Sequence, residues 1–179
     1  MPRRIFYREP DGPSPRFARY EVQLMLAQMQ GLMWLAAAEA KEWLPDTAIE
    51  DLEDLEEPEL TGTDLQRAAL EGHERCAHVQ SELNSGKYDQ KLLAAGFGGA
   101  QGEVKQRGWR AALNRLYKSG QRTARDFLPA LQWGRMVVGS VASAVPGAEA
   151  IGELLEVLMH AGESGEEGRV ARPPRGKAQ

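Results

Sequence analysis

The sequence predicts an all-α protein, a bundle of about five helices, and two observations support this fold class. Apolar residues recur at spacings of three and four along most of the 179 residues, which is the period of a helix face. No run of β-branched residues alternates with polar residues as a strand requires. The chain contains a single Cys, so an intrachain disulfide cannot stabilise the core and an intracellular protein is expected.

The first predicted helix is long and central. Ser14 is a suitable cap, Pro15 suits the first turn, and the helix is expected to run to Leu44. Its apolar residues cover most of its circumference, which is typical of a helix with neighbours on several sides. The uncharged stretch 22–38 is slightly short for a membrane span and contains three Gln, so a buried helix is the favoured interpretation.

The second helix is expected to begin at Thr63 or Asp64 and to end at 84–86, where Asn, Ser and Gly tolerate a left-handed backbone. It carries the clearest heptad of the chain. The heptad positions are Leu65, Ala69, Gly72, Cys76, Val79 and Leu83. Spacings of three and four place these residues on one face, although the heptad is short for an independent coiled coil.

Three more main helices and one short helix complete the prediction. The short helix spans 87–97, and the third main helix covers 100–119. The fourth follows Gly120, and Pro129 either kinks it or marks its start. The fifth follows the Pro-Gly break at 146–147 and ends at 161–162, where Ala precedes Gly.

The sequence divides into one domain and its flanking segments. Residues 1–13 are expected to form a flexible arm, 14–161 a single helical bundle domain, and 162–179 a disordered tail rich in Gly, Pro and Arg. Within the domain, 46–62 is an acidic connector. It carries eight acidic residues and no basic residue between positions 46 and 60.

The net charge of −4 and the pI near 5.5 argue against a nucleic-acid-binding protein, but the total hides a strongly basic stretch. Seven basic residues between 101 and 125 are opposed only by Glu103. These candidate partner-binding residues are Lys105, Arg107, Arg110, Arg115, Lys118, Arg122 and Arg125. Two interpretations remain open: the acidic connector covers the basic helix through weak surface pairs, or the basic face binds a partner.

Catalytic and metal-binding motifs are scarce. Cys76 lies in the sequence HERCAH at 73–78, but the heptad places it on the apolar face, where a packed thiol is expected. The pairs Glu74/His78 and Glu156/His160 are spaced by four and are interpreted as surface pairs. No phosphate loop, dinucleotide fingerprint or nucleophile elbow is present. We therefore predict no enzyme activity, no cofactor and no metal site.

Small residues follow two rows near the fourth and fifth helices. One row is Gly139, Ser143 and Gly147, and the other is Ala144, Ala148 and Gly152. Such rows let helices approach closely, so tight packing of these two helices is expected. The alternative is that the hairpin 127–159 inserts into a membrane or docks on a partner.

Part of the chain resembles CATRA-associated small proteins, all-α proteins of bacterial conflict systems encoded near caspase-like or CHAT peptidases. The resemblance covers 92–159. It rests on 94–99 (AAGFGG), 101–117 (QGEVKQRGWRAALNRLY) and 139–158 (GSVASAVPGAEAIGELLEVL). It implies an accessory protein of antiviral defence and no catalytic site residues.

These observations together predict a cytoplasmic, non-enzymatic adaptor or regulator. Its partner is expected to be a protein, such as a peptidase or another defence component, for which the chain serves as a target or an inhibitor. The exposed acidic connector and Arg-rich termini offer sites for docking or cleavage. The alternative function is a membrane-perturbing effector that uses the hairpin 127–159.

Overall fold

The predicted all-α fold is confirmed in the computed structural model, which describes residues 13–44, 60–120 and 122–170, the last seven by their backbone alone. Within these ranges the chain forms six helices and no strand. The helices are α1 (Pro15–Trp43), α2 (Gly62–Leu83), α3 (Asp89–Ala94), α4 (Ala100–Lys118), α5 (Ala124–Ala142) and α6 (Glu149–Val170). Residues 1–12 of the predicted arm, most of the acidic connector and the end of the predicted tail lie outside the described residues.

The predicted start of α1 is confirmed. Ser14 is the N-cap, its hydroxyl accepts a hydrogen bond from the Phe17 backbone N–H at 3.3 Å, and Pro15 occupies the first turn. Eleven residues of α1 are buried, and the helix contacts α2, α3, α4 and α5. This long helix is therefore the centre of the bundle, as its apolar circumference predicts.

One face of α1 departs from the prediction. Phe17, Tyr20 and Leu24 belong to the apolar circumference that predicts neighbours on several sides, but they are 41, 45 and 44% exposed. They follow one another at spacings of three and four, so they share a single outward face. The neighbouring helices cover the remaining circumference and leave this face uncovered by the described residues.

Helix α2 lies antiparallel to α1, and its heptad residues are all buried, as predicted. Gln66 bonds the Ala37 carbonyl at 3.1 Å near one end, and Gln23 bonds the Asn84 side chain at 2.9 Å near the other. Gly72 leaves room for the Met33 side chain, whose methyl carbon would lie 2.7 Å from a Cβ atom at this position.

The predicted start of α2 is wrong by two residues. The N-cap is Thr61 rather than Thr63 or Asp64. Thr61 accepts from the Asp64 N–H, and the Asp64 carboxylate accepts from the Thr61 N–H at 3.0 Å. This reciprocal capping box satisfies two backbone donors at the start of α2.

The predicted end of the last helix at 161–162 is also wrong, since α6 continues to Val170. Gly162 is buried, and a Cβ atom there would lie 3.0 Å from the Ala124 carbonyl oxygen at the start of α5. The glycine therefore allows α5 and α6 to approach each other and does not terminate the helix.

Helices α4 and α5 also lie antiparallel and in close contact. Lys105 near the start of α4 bonds Ser140 near the end of α5 at 2.7 Å. A capping box of Thr123 and Asp126 starts α5, so Pro129 lies inside this helix and does not mark its beginning.

The two rows of small residues have different roles. Ala144 and Ala148 are buried, and a Cβ atom at Gly152 would lie 3.7 Å from Val138, so this row supports the packing of α5 and α6. A Cβ atom at Gly139 or Gly147 would meet no atom within 4 Å among the described residues. The first row therefore faces open space.

Candidate functional site

The seven predicted partner-binding residues do not lie on one surface. Lys105 is half-buried on the core side of α4, where its ammonium bonds Ser140 and lies 5.1 Å from the centre of the Phe97 ring. It therefore joins α4 to its neighbours and contributes little to an outer surface. The other six residues are exposed.

Four of the six form what we call the basic face of α4. Its members are Arg107, Arg110, Arg115 and Lys118. Residues in an α-helix advance by about 100° each, so these four fall within about 140° of the circumference. Exposed Val104 and Ala111 lie in the same sector, which adds apolar surface between the charges.

The basic face has little acidic counterpart among the described residues. Arg107 pairs with Glu103 at 3.1 Å, one helical turn away. No salt bridge with a described residue is formed by Arg110, Arg115 or Lys118. Arg115 and Lys118 lie in the last turn of α4, where cations interact favourably with the helix dipole. That interaction explains two of the charges, but not Arg110.

Basic residues continue from the end of α4 into the start of α5. Arg122 and Arg125 are exposed, and the Arg122 carbonyl accepts a hydrogen bond from Trp43 Nε1 at 2.7 Å. The ring of Trp43 also packs edge-on against Phe127, with 4.7 Å between centroids. The end of α1 is thus fixed beside this basic region. The acidic residues that follow Leu44 lie outside the described residues.

A second charged surface, which the sequence analysis did not predict, lies between α5 and α6. We call it the acidic groove, and its volume is about 570 Å³. Its apolar lining consists of Met136, Val138, Gly139, Ala142, Gly152 and Met159. Its exposed charged residues are Glu149, Glu153, Glu156 and Arg135. Arg135 pairs with Glu156, so the groove keeps an excess of negative charge.

The sequence contains a signal for this groove. Glu149, Glu153 and Glu156 are spaced by four and three, so they share one face of α6. The concavity itself arises only when α5 packs antiparallel to α6, with Gly152 beside Val138 and open space at Gly139. Spacing along a single helix cannot reveal such a shape.

One acidic side chain is buried at the start of α4. Glu21 of α1 is only 4% exposed, and its Oε1 atom accepts a hydrogen bond from the Gly98 N–H at 3.3 Å. Burial raises the pKa of this carboxyl group, Gly98 lowers it, and the nearby Glu103 raises it further. The contact leaves no room for a side chain at Gly102, where a Cβ atom would overlap Glu21. Glu21 thus joins α1 to the turn that precedes α4.

The residues of the HERCAH sequence do not converge on a site. Cys76 is buried, and burial raises the pKa of its thiol to about 12, which agrees with the predicted packed thiol. His78 lies 3.8 Å from Glu82, whereas pairing with Glu74 was predicted. Across the described residues, no group of three or more His, Cys, Asp or Glu is arranged to hold a metal ion.

The hairpin 127–159 is part of the bundle. Its apolar residues Phe127, Leu131 and Leu155 are fully buried in the core. Over the described ranges, no helix is both long and apolar enough to cross a membrane.

Comparisons of the chain with protein-family models, with curated proteins and with solved structures find no match. The function is therefore inferred from the chemistry of the two charged surfaces.

Proposed function

We propose that this protein is a non-enzymatic adaptor or regulator that binds a protein partner through the basic face of α4. The observation that carries the proposal is the set of exposed cations at Arg110, Arg115 and Lys118, which form no salt bridge with described residues. Such charges on a rigid helix attract an acidic partner and orient it during encounter.

The partner chemistry follows from the surface. Val104 and Ala111 provide apolar area between the charges, so a matching surface carries carboxylates around a small apolar patch. Arg residues are well suited to this role because the guanidinium group binds carboxylates through two parallel hydrogen bonds. Following the resemblance to CATRA-associated small proteins, the proposed partner is a peptidase or another component of a cytoplasmic bacterial defence system, for which this chain is a target or an inhibitor.

The proposal names a protein rather than a nucleic acid. A net charge of −4 and an acidic groove on the helices next to the basic face both disfavour binding of a polyanion. We expect no binding of a 20-base-pair DNA duplex, measured by fluorescence anisotropy at physiological salt. If the protein binds the duplex and charge reversal on the basic face abolishes that binding, the partner is a nucleic acid and the proposed protein partner is wrong.

Co-purification with two matched double variants tests the proposal. Arg110→Glu/Arg115→Glu reverses two charges on the basic face. The control Arg67→Glu/Arg75→Glu reverses two exposed arginines on α2, each of which lies near an acidic residue one turn away. We expect the α4 variant to retain roughly tenfold less of a stoichiometric partner than the wild-type chain, and the α2 variant to retain it fully.

The result is interpreted only if both variants remain folded, which circular dichroism establishes. Equal retention by both variants would overturn the basic face as the binding surface. The absence of any stoichiometric protein partner with the wild-type chain would overturn the adaptor function itself.

A further inference from the structure

The acidic groove between α5 and α6 is a second candidate binding site, separate from the basic face and independent of the proposed function. Its lining is apolar, its unpaired rim charge is negative, and Met136 is 48% exposed within it. Methionine side chains are polarisable and adapt to different shapes, which suits them to binding surfaces. A segment that fits this groove carries apolar side chains flanked by basic ones.

The chain contains one such segment outside the described residues. Residues 3–8 read Arg-Arg-Ile-Phe-Tyr-Arg, with three consecutive apolar side chains between basic residues. Segment 171–179 has three basic residues but no large apolar side chain. Segment 45–59 is acidic, and like charges would repel it from the rim.

The attachment point of the arm is at the correct end of the bundle. Pro13 packs against Gly99, and the Ser14 N–H lies 3.4 Å from the Gly98 carbonyl oxygen. Lys105 lies about 9 Å further along α4, and its bond to Ser140 brings this end of α4 beside the end of α5. Two residues of the groove lining, Gly139 and Ala142, flank Ser140 on α5.

The arm is long enough to reach the groove. Twelve residues precede Pro13, and an extended chain of that length spans about 40 Å. Because the arm is tethered near the groove, docking is intramolecular and gains from a high effective concentration. We propose that the acidic groove binds residues 3–8 of the same chain, with the apolar side chains on its floor and the arginines at its glutamates.

Methyl NMR of the full-length protein tests this proposal, because methionines lie both in the acidic groove and in the core. Met136 and Met159 line the groove, whereas Met25, Met29 and Met33 are fully buried in the core and serve as internal controls. We expect Arg3→Glu/Arg4→Glu/Arg8→Glu to shift the two groove methyl resonances and to leave the three core resonances in place.

Two further variants separate docking from general changes in charge. Phe6→Ala/Tyr7→Ala keeps the charge and removes the aromatic rings, so it should also shift the groove resonances. Arg172→Glu/Arg175→Glu/Lys177→Glu matches the charge change of the arm variant, and the groove resonances should stay unchanged. The proposal is overturned if neither arm variant shifts Met136 and Met159, or if the tail variant shifts them equally.

A peptide of residues 2–9 gives the complementary measurement. Added to the charge-reversed arm variant, it should shift the groove resonances back toward their wild-type positions. Glu153→Lys reverses an exposed charge of the rim. Combined with the charge-reversed arm variant, it should lower the affinity for the peptide roughly three- to tenfold. A wild-type spectrum that changes on tenfold dilution would contradict intramolecular docking, because the arm would then occupy the groove of a second copy.

Discussion

The basic face of α4 and the acidic groove between α5 and α6 lie on adjacent helices but differ in both sign and shape. The basic face is convex, and its charged side chains are exposed to solvent. The groove is concave, and its charges surround an apolar floor. A convex charged face contributes mainly to orientation and encounter rate, whereas a groove also buries apolar area. We therefore expect a diffusing partner at the first surface and a tethered segment at the second.

The two surfaces also differ in which of their charged residues bond within the protein and which remain available to a partner. Lys105 belongs to the basic stretch by sequence, yet it bonds Ser140 and stacks on Phe97. Arg135 belongs to the groove, where it neutralises Glu156. The net charge of the chain reports neither distinction, because oppositely charged surfaces cancel in the sum.

The largest effect is expected from a substitution that removes the contact between α4, which carries the basic face, and the core. Trp109 is fully buried on α4, and its indole N–H donates to Gln28 Oε1 at 2.9 Å. Trp109→Ala should lower the free energy of unfolding by about 3–5 kcal/mol, because it leaves a large cavity. Urea denaturation measures this change.

Tyr117→Ala is the matched control on the same helix. Tyr117 is 51% exposed. Its truncation should cost less than about 1 kcal/mol. Equal losses in the two variants would contradict the assignment of Trp109 as the anchor of the basic face.

An effect of intermediate size is expected when Ala replaces either of two glycines. Gly108 lies where α4 meets α5, and Gly139 lines the acidic groove. A Cβ atom at Gly108 of α4 would lie 2.3 Å from the Trp133 ring of α5, whereas Gly139 faces open space. Gly108→Ala should destabilise the protein by about 1–2 kcal/mol, since overpacking outweighs the gain in helix propensity. Gly139→Ala should stabilise it by about 0.5–1 kcal/mol.

Thermal unfolding of the two variants checks that Gly108→Ala lowers the stability and that Gly139→Ala raises it. Stabilisation by both substitutions would show that α4 and α5 are not in close contact at Gly108. The basic face and the groove would then be less rigidly connected than described.

The smallest effect concerns pH and the buried Glu21 at the start of α4. Its pKa is raised in the folded protein, mainly by burial, so folding favours the protonated form. Stability should therefore fall as pH rises from the ordinary value of 4.5 through the raised pKa, and level off above it. Glu21→Gln keeps an acceptor for the Gly98 N–H and should remove this fall.

The free energies of unfolding of the wild-type protein and of Glu21→Gln are compared from about pH 4, close to an ordinary carboxyl pKa, to about pH 8. The variant should gain stability relative to the wild-type protein as pH rises. A difference that is independent of pH would show that Glu21 is not responsible.

Much of the fold is predictable from the sequence because its signals are local. The Ser14 cap and the heptad from Leu65 to Leu83 depend only on spacing and residue type, and both predictions are confirmed. The errors occur where a local signal has two solutions. Thr61 and Thr63 are both possible caps, and Gly162 resembles a helix end although it serves a close contact with α5.

The candidate site is less predictable because it depends on how the helices are arranged. Spacing places Arg107, Arg110 and Lys118 on one side of α4. It also places Lys105 on the face of the buried Trp109 and Leu116, but the prediction grouped Lys105 with the other residues by its charge. Only the packed structure shows its bond to Ser140. The groove requires two helices and an open glycine at position 139. Its acidic residues were visible in the sequence, and its shape was not.

Site-specific photocrosslinking in cells of the source organism tests the central claim most directly. A photoreactive residue replaces Ala111, which is exposed within the basic face, or Ala77, which is exposed on α2 as the control. We predict one discrete protein adduct from position 111 that disappears with Arg110→Glu/Arg115→Glu, and none of that mass from position 77. Adducts of equal yield at both positions, or an adduct at 77 alone, would contradict the basic face of α4 as the partner-binding surface.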